Sequence, residues 1–501
     1  MRGGYSEEQR QLDHYAAGYG IDIVASIQVL GHMEKVVRFP EYAGIKDSAS
    51  CLLAGEEGTY RLIEKMLKTM SSCLRSRRII IGMDETHGLG EGNYRRLHGR
   101  HEPLEIFLQH LQKVDVLAKK HGLRVALYSD MIFKYSSPRR VYLDPEAVLN
   151  EEIVSQIPAD ASLIYWDYYS SDPKIIERMM REHRRTGNAV YAGPLLSVSS
   201  FCVQYEATFR TAGTALASAR RNGISMAYGC LWHDDGAECC DWLGLLGMQY
   251  YAECAYSGYG ACDIYSTDST GFVGNEAAVS MEELSRRFYA CTGLSAKWFL
   301  DASMLDAVPC INRENRWPPN PSKYLLWQDP LEGLCDADLQ GLSLSEYYKS
   351  VEERLAEDLG YAGEKGWFLK VPLQLARVLS RKCYLSEELS RHYVEQDREA
   401  LEKDLLLMKE LWDHVRQLWI LHREQWMATC SPFGWSRLDL RYGGLMARLK
   451  TAEARLAGYL DGSLQELQEL TVPRFRLDRG DQGLGNGIWK VYADVATLSD
   501  G

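Results

Sequence analysis

The sequence predicts an α/β fold: a (β/α)8 TIM-type barrel, incomplete at its N-terminus, followed by an α-helical C-terminal domain. Three observations predict it. Up to about residue 255, short apolar runs rich in β-branched residues alternate with longer segments of helical period, as βα units around a parallel sheet do. Every strong polar cluster in that half follows one of those runs, as on the barrel rim where strand C-termini and their loops build an active site. From about residue 345 the composition turns to Leu, Glu, Arg and Lys at helical spacing.

The chain opens on a helix, Ser6 to Tyr19, and then reads strand by strand. Ile21 to Gln28 leads to Gly31-His32, Arg78 to Met83 to Asp84-Glu85, Leu123 to Ser129 to Asp130, and Ser162 to Asp167 to Tyr168-Tyr169. Ala189 to Ala192 comes next, and Ile224 to Trp232 ends at Asp234-Asp235. Helical segments between them include Tyr60 to Cys73, Pro103 to His121, Pro173 to Thr186 and Thr208 to Asn222. Six runs are present where a barrel needs eight, and an opening helix would ordinarily come after a strand. The expectation is therefore that the first two βα units are missing from the barrel domain, residues 1–255, and that the chain alone is poorly stable and nearly inactive.

Residues 256–344, with Gly, Asn and Pro in abundance and the stretch Trp317-Pro-Pro-Asn-Pro, read as an irregular linker packed on the barrel. Residues 345–470 read as the helical domain and 471–501 as a tail. Leu401, Leu405, Met408, Trp412, Val415 and Trp419 alternate steps of four and three and so share one helix face. With Trp426 this stripe is wide enough to predict a homodimer.

Composition narrows the partners. With 46% hydrophobic and 25% charged residues the chain is globular, and a net charge of −12 without a basic block argues against nucleic acid or an anionic membrane. Thirteen cysteines without a C-x-x-C pair argue against a zinc site and for a reducing compartment, hence the cytosol. The first twenty residues hold no signal-peptide core, and no apolar run reaches the 18 residues of a membrane span. No metal or organic cofactor is expected, since Gly88-Leu-Gly-Glu-Gly92 lacks the dinucleotide spacing.

The sharpest chemical feature is Ile81-Gly82-Met83-Asp84-Glu85. Adjacent carboxylates disfavour each other's ionisation, so one of them can serve as a general acid. Three further segments end successive strands in the same way: Gln28-Val29-Leu30-Gly31-His32, Tyr165-Trp166-Asp167-Tyr168-Tyr169 and Leu231-Trp232-His233-Asp234-Asp235-Gly236-Ala237-Glu238-Cys239. In this order the four segments resemble the exo-β-N-acetylhexosaminidases of glycoside hydrolase family 20, in the bacterial intracellular branch with a helical C-terminal domain. The likeness extends to Asn320 through Leu331, to Pro432-Phe-Gly-Trp435 and to Arg441-Tyr-Gly-Gly444.

The resemblance implies substrate-assisted hydrolysis with retention, in which the 2-acetamido group of a terminal GlcNAc or GalNAc supplies the nucleophile. The substrate would be such a residue on a small glycan or glycoconjugate. By the same resemblance Glu85 is the general acid/base and Asp84 holds the acetamido group. Tyr168 or Tyr169 bonds the acetamido oxygen, and the residues leave that choice open. His32 lies beside the acid, Trp232 walls the acetamido pocket, Asp234 grips sugar hydroxyls and Glu238 supports it. Trp166, Tyr128 and Asp130 complete the substrate-binding set. The departures are Ile80 in place of a histidine, Tyr128 in place of a tryptophan, Pro194 to Phe201 in place of a Trp-rich segment, His233 in place of a glycine, and no first-strand arginine. They keep a second reading in play, a catalytically weak sugar-binding or scaffolding protein on the same fold.

Overall fold

Six strands form one sheet in the computed structural model: β1 Ala25–Gln28, β2 Arg78–Gly82, β3 Arg124–Tyr128, β4 Ser162–Trp166, β5 Asn188–Pro194 and β6 Ala227–Cys230. The structure describes residues 5–144, 146–170, 172–195, 200–233, 236–257, 272–273, 276–277, 279–308, 320–334, 336–338 and 341–474. Asp234, Asp235, Trp317 to Pro319, half of Pro194 to Phe201 and nearly all of the expected tail lie outside the described residues.

The strands lie side by side in chain order, and the pairs from β1 to β5 are parallel. A doubly wound sheet reverses its strand order at a switch point, and this sheet has none among the described residues. Register aligns the strand ends. Gln28 lies opposite Gly82, Tyr128 opposite Ile164 and Trp166 opposite Ala192, so the residues after each strand emerge along one edge of the sheet.

These segments become strands because both faces of a parallel sheet are covered, which calls for continuous apolar runs in place of alternation. Ile79, Ile81, Val125, Leu127, Leu163, Ile164 and Tyr165 are all buried. The intervening helices carry apolar stripes. Pro103–Lys120 begins on a proline, where no N–H is needed, and buries Phe107, Leu111, Val114 and Ala118 along one face. Pro173–Arg184 is capped by Asp172, whose carboxylate accepts the Lys174 N–H at 2.9 Å.

The chain divides into two compact units, residues 1–193 with 214–228, and residues 194–213 with 229–501. The second is largely helical, with Leu344–Ala362, Lys370–Lys382, Leu385–Glu395, Arg398–Thr429 and Trp435–Asp461 as its longer helices. On Arg398–Thr429 the buried line runs Leu401, Asp404, Met408, Leu411, Val415, Leu418, His422 and Gln425. The apolar spacing shares Leu401, Met408 and Val415 with that line, and between them the buried places fall one residue earlier than expected, at Asp404, Leu411 and Leu418; the polar members of the line have partners inside the unit. Asp404 pairs with His392 at 2.7 Å, His422 with the Tyr442 hydroxyl at 3.0 Å, and Gln425 donates to the Phe368 carbonyl at 3.3 Å.

The three tryptophans from which the sequence predicts a dimer each have a partner in the same unit. Trp412 lies under the Lys450 ammonium, Trp419 donates to Asp439, and Trp426 donates to the Ser431 carbonyl.

Candidate active site

The ends of β1 and β2 bring His32, Asp84 and Glu85 together. Gly31 makes this approach possible: a Cβ there would stand 2.6 Å from the Asp84 carbonyl oxygen and 2.9 Å from Thr86 Cγ2. Behind the β1 end, the buried His110 ring bonds the Val29 carbonyl at 3.0 Å and the Tyr60 hydroxyl at 3.1 Å. Burial pushes its pKa down to about 4, so it is a neutral strut.

His32 Nε2 lies 3.3 Å from Asp84 Oδ2 and 3.7 Å from Glu85 Oε2. The Asp84 hydrogen bond, aided by the charges of Asp84, Glu85 and Glu34 and opposed by burial, raises the His32 pKa to about 9. An imidazolium therefore stands beside the two acids at neutral pH. Asp84 Oδ1 is buried and accepts no hydrogen bond from the described residues. The Glu85 side chain keeps 36% of its surface exposed, enough to reach a ligand from solvent.

Backbone conformation marks the same place. Six described non-glycine residues have positive φ, and four of them, His32, Glu85, His233 and Ala237, lie in three of the four strand-end segments. Left-handed non-glycine residues cost about 1–3 kcal/mol each and persist where their surroundings over-determine them, commonly at functional sites. Glu85, at φ +48°, is held by its own N–H, which donates to Asp130 Oδ2 at 2.9 Å.

Asp130 is buried and extends the cluster to β4. Burial and the neighbouring Asp84 charge raise its pKa to about 7, while the Glu85 N–H and the Trp166 side chain pull the other way. The Trp166 ring stands 5.3 Å from Tyr168 and 4.9 Å from Tyr142, whose hydroxyl accepts the Trp166 N–H at 3.1 Å. Asp167 fixes the turn after β4 by accepting the Tyr169 and Ser170 N–H groups at 3.0 and 2.9 Å. Tyr168 is buried and Tyr169 half-buried, and their rings meet edge to face at 5.8 Å. Tyr128, at the end of β3, is buried. His32, Asp84, Glu85, Asp130, Trp166, Tyr168 and Tyr169 thus form one contact chain in the first unit.

Sequence reasoning missed two supports here. Asp47 accepts the Gly90 and Tyr94 N–H groups at 2.9 and 2.7 Å and pins the glycine loop behind Glu85, and Tyr142 buttresses Trp166. Neither belongs to a strand end or a motif. Among the described residues, no cluster of three or more His, Cys, Asp or Glu could hold a metal ion.

The remaining predicted residues belong to the second unit. Trp232 leaves β6 with 41% of its surface exposed, and Asp234 lies outside the described residues. Glu238, expected as a support for Asp234, has a fully buried side chain and does not itself face a ligand. Lys323 Nζ lies 2.7 Å from Oε2 and Arg441 Nη1 donates to Oε1 at 2.9 Å, both from side chains with almost no exposed surface. Burial opposes the Glu238 charge, but the two cations outweigh it and hold the carboxyl below its ordinary pKa.

Residues 297–486 match the family model of the Glycoside Hydrolase 20C C-terminal domain. No curated protein matches the chain. Similar solved structures include the GH20 β-N-acetylhexosaminidase of Streptomyces coelicolor A3(2), at 15% identity over 40% of this chain and 35% of that one, with a TM-score of 0.27. Others are the β-N-acetylhexosaminidase of Bacteroides fragilis NCTC 9343 (13%, 53% of each chain, TM-score 0.38) and Flavobacterium johnsoniae chitobiase (13%, 98% of this chain and 68% of that one, TM-score 0.37). This chain spans about a third of the length of the Streptomyces protein and about half that of the Bacteroides protein. The likeness to glycoside hydrolase family 20 thus rests on residues 297–486, the part of the chain that the family model matches.

Proposed function

We propose that this chain is a retaining exo-β-N-acetylhexosaminidase of the cytosol, cleaving terminal β-linked GlcNAc or GalNAc from small glycans or glycoconjugates. Glu85 protonates the glycosidic oxygen and later takes a proton from water. Asp84 accepts the acetamido N–H while the acetamido oxygen attacks the anomeric carbon, and then stabilises the oxazolinium ring. The uninterrupted strand order supports reading the six strands as wall of a (β/α)8 barrel with its rim at their C-terminal ends.

One observation carries this reading. Asp84 turns one oxygen to His32 and keeps the other buried and without a partner among the described residues. A buried acceptor left unpaired costs about 1–3 kcal/mol, and a substrate N–H removes that cost. The contact would orient the acetamido group as internal nucleophile, an effect available only to N-acetyl sugars. A weak sugar-binding protein is the second reading, favoured by Ile80, whose aliphatic side chain cannot hydrogen-bond where the resemblance expects a histidine.

Hydrolysis of nitrophenyl β-N-acetylglucosaminide and nitrophenyl β-glucoside tests the proposal. The wild-type chain should strongly prefer the N-acetyl substrate, and Asp84→Asn should lose activity mainly on that one. Equal losses on both would refute substrate assistance, and no turnover of either would favour the binding protein.

A further inference from the structure

The family domain brings two sequence motifs to one carboxylate. Lys323, within Asn320 to Leu331, and Arg441, which opens Arg441-Tyr-Gly-Gly444, both end on Glu238. The His422 ring contacts the Glu238 backbone, bonds the Tyr442 hydroxyl at 3.0 Å, and lies tilted against Phe201 and edge to face with Trp435. Such a pocket is closed to ligands.

What it packs against is the backbone of Gly236, next to Ala237. His233 and Ala237 have φ of +52° and +56°, and the Ala237 N–H donates to the His233 carbonyl at 3.1 Å, linking these two residues. Gly236 sits at φ +123°, where a Cβ would stand 2.6 Å from Arg441 Nη1 and 2.9 Å from Glu238 Oε2, so the ion cluster is packed against this backbone. At the other end His233 Nε2 lies 2.5 Å from Asp241 Oδ1. Directly before His233 stands Trp232, large, apolar and 41% exposed. A left-handed residue keeps its conformation only when its neighbours enforce it, and here the enforcement comes from both flanks.

We infer that Glu238, Lys323 and Arg441 are positioning residues: the buried ion cluster of the C-terminal domain fixes the segment after β6 and so presents Trp232 as a sugar-binding platform. This rests on the proposed hexosaminidase reading for the ligand, though not for the mechanical link. Arg441 is the residue of choice for the test, because its fork packs against Gly236 as well as bonding Glu238. Arg441→Lys keeps the charge and loses that fit.

The experiment compares wild type, Arg441→Met and Arg441→Lys by hydrogen exchange, by N-acetylglucosamine binding in calorimetry, and by KM and kcat on the nitrophenyl substrate. In Arg441→Lys, peptides covering residues 229–240 should exchange at least tenfold faster while the helix Glu57–Cys73 is unchanged. N-acetylglucosamine affinity should fall about tenfold, with KM moving more than kcat. Arg441→Met should go further in the same direction, and if it does not fold, Arg441→Lys alone decides. Unchanged exchange across 229–240, or unchanged sugar affinity, in a folded variant overturns the inference. A wild type that neither binds nor hydrolyses the sugar refutes the hexosaminidase reading, while the exchange comparison still judges the mechanical link.

Discussion

Two acidic clusters, one in each unit, put the same side-chain chemistry to opposite uses. Asp84 and Glu85 stand after β2 with 18% and 36% of their side-chain surface exposed, facing a half-exposed histidine, and one Asp84 oxygen has no partner among the described residues. Glu238 stands after β6 with no exposed surface and a cation on each oxygen. Coulombic satisfaction and burial close the second cluster, whereas the first keeps acceptor capacity and access. An acid's role is set by what remains unsatisfied around it, and its place after a strand does not settle that.

The predictions press on this contrast, beginning with the largest effect. Glu85→Gln should lower kcat by roughly 10²- to 10⁴-fold, because the amide keeps the shape but cannot donate a proton. Sugar affinity should hold, and a nitrophenyl leaving group should suffer less than an alkyl one. Steady-state kinetics on the two glycosides checks this, and retention of more than about a tenth of the activity would contradict the assignment.

In the closed cluster the larger effect should fall on stability. Glu238→Gln leaves Lys323 and Arg441 as uncompensated buried charges and should cost about 3–5 kcal/mol in urea unfolding. A cost below about 1 kcal/mol would mean that water reaches the cluster.

Asp130 links acid chemistry to pH. Its folded pKa of about 7 lies above the ordinary aspartate value of 3.8, so the folded state holds a proton that the unfolded state has released. Stability should therefore decline as pH rises from roughly 4 through 7. Asp130→Asn removes that titration while keeping an acceptor for the Glu85 N–H. Relative to wild type it should gain about 1–2 kcal/mol between pH 5 and pH 8, measured by denaturant unfolding. A flat difference would exclude the buried carboxyl as its source.

The smallest effect belongs to His32, whose raised pKa makes its contribution full below about pH 6.5 and lost as pH rises through about 9. Because its side chain is 40% exposed, solvent screening reduces this to about 0.5–1 kcal/mol. His32→Ala should remove that slope from the stability profile between pH 6.5 and 9.5.

Much of the first unit was legible in the sequence, since buried parallel strands read as apolar runs and each chemical cluster stood next after one. Ile79 to Ile81 and Leu163 to Tyr165 illustrate this. Glu85 and His32 were legible as residue types at strand ends, but their left-handed backbone was not: it is imposed by Asp130 on Glu85 and by the close passage of Gly31 past Asp84. Glu238 was legible only as a support for Asp234, and its buried cations were not. Its partner Arg441 is 203 residues away, beyond any local pattern. The buried line of Arg398–Thr429 was half legible for the same reason, as Asp404, His422 and Gln425 enter the core only by virtue of partners on other segments.

The open Asp84 oxygen is the centre of the account, and its occupant can be mimicked directly. A thiazoline analogue of the cyclised intermediate carries the ring that Asp84 is proposed to stabilise. Its inhibition constant should lie at least about 100-fold below that of N-acetylglucosamine for the wild-type chain, because a site that works through the cyclised species binds its analogue preferentially. Asp84→Asn should lose most of that margin. A thiazoline that binds no more tightly than N-acetylglucosamine, or a margin that survives in Asp84→Asn, would contradict the account.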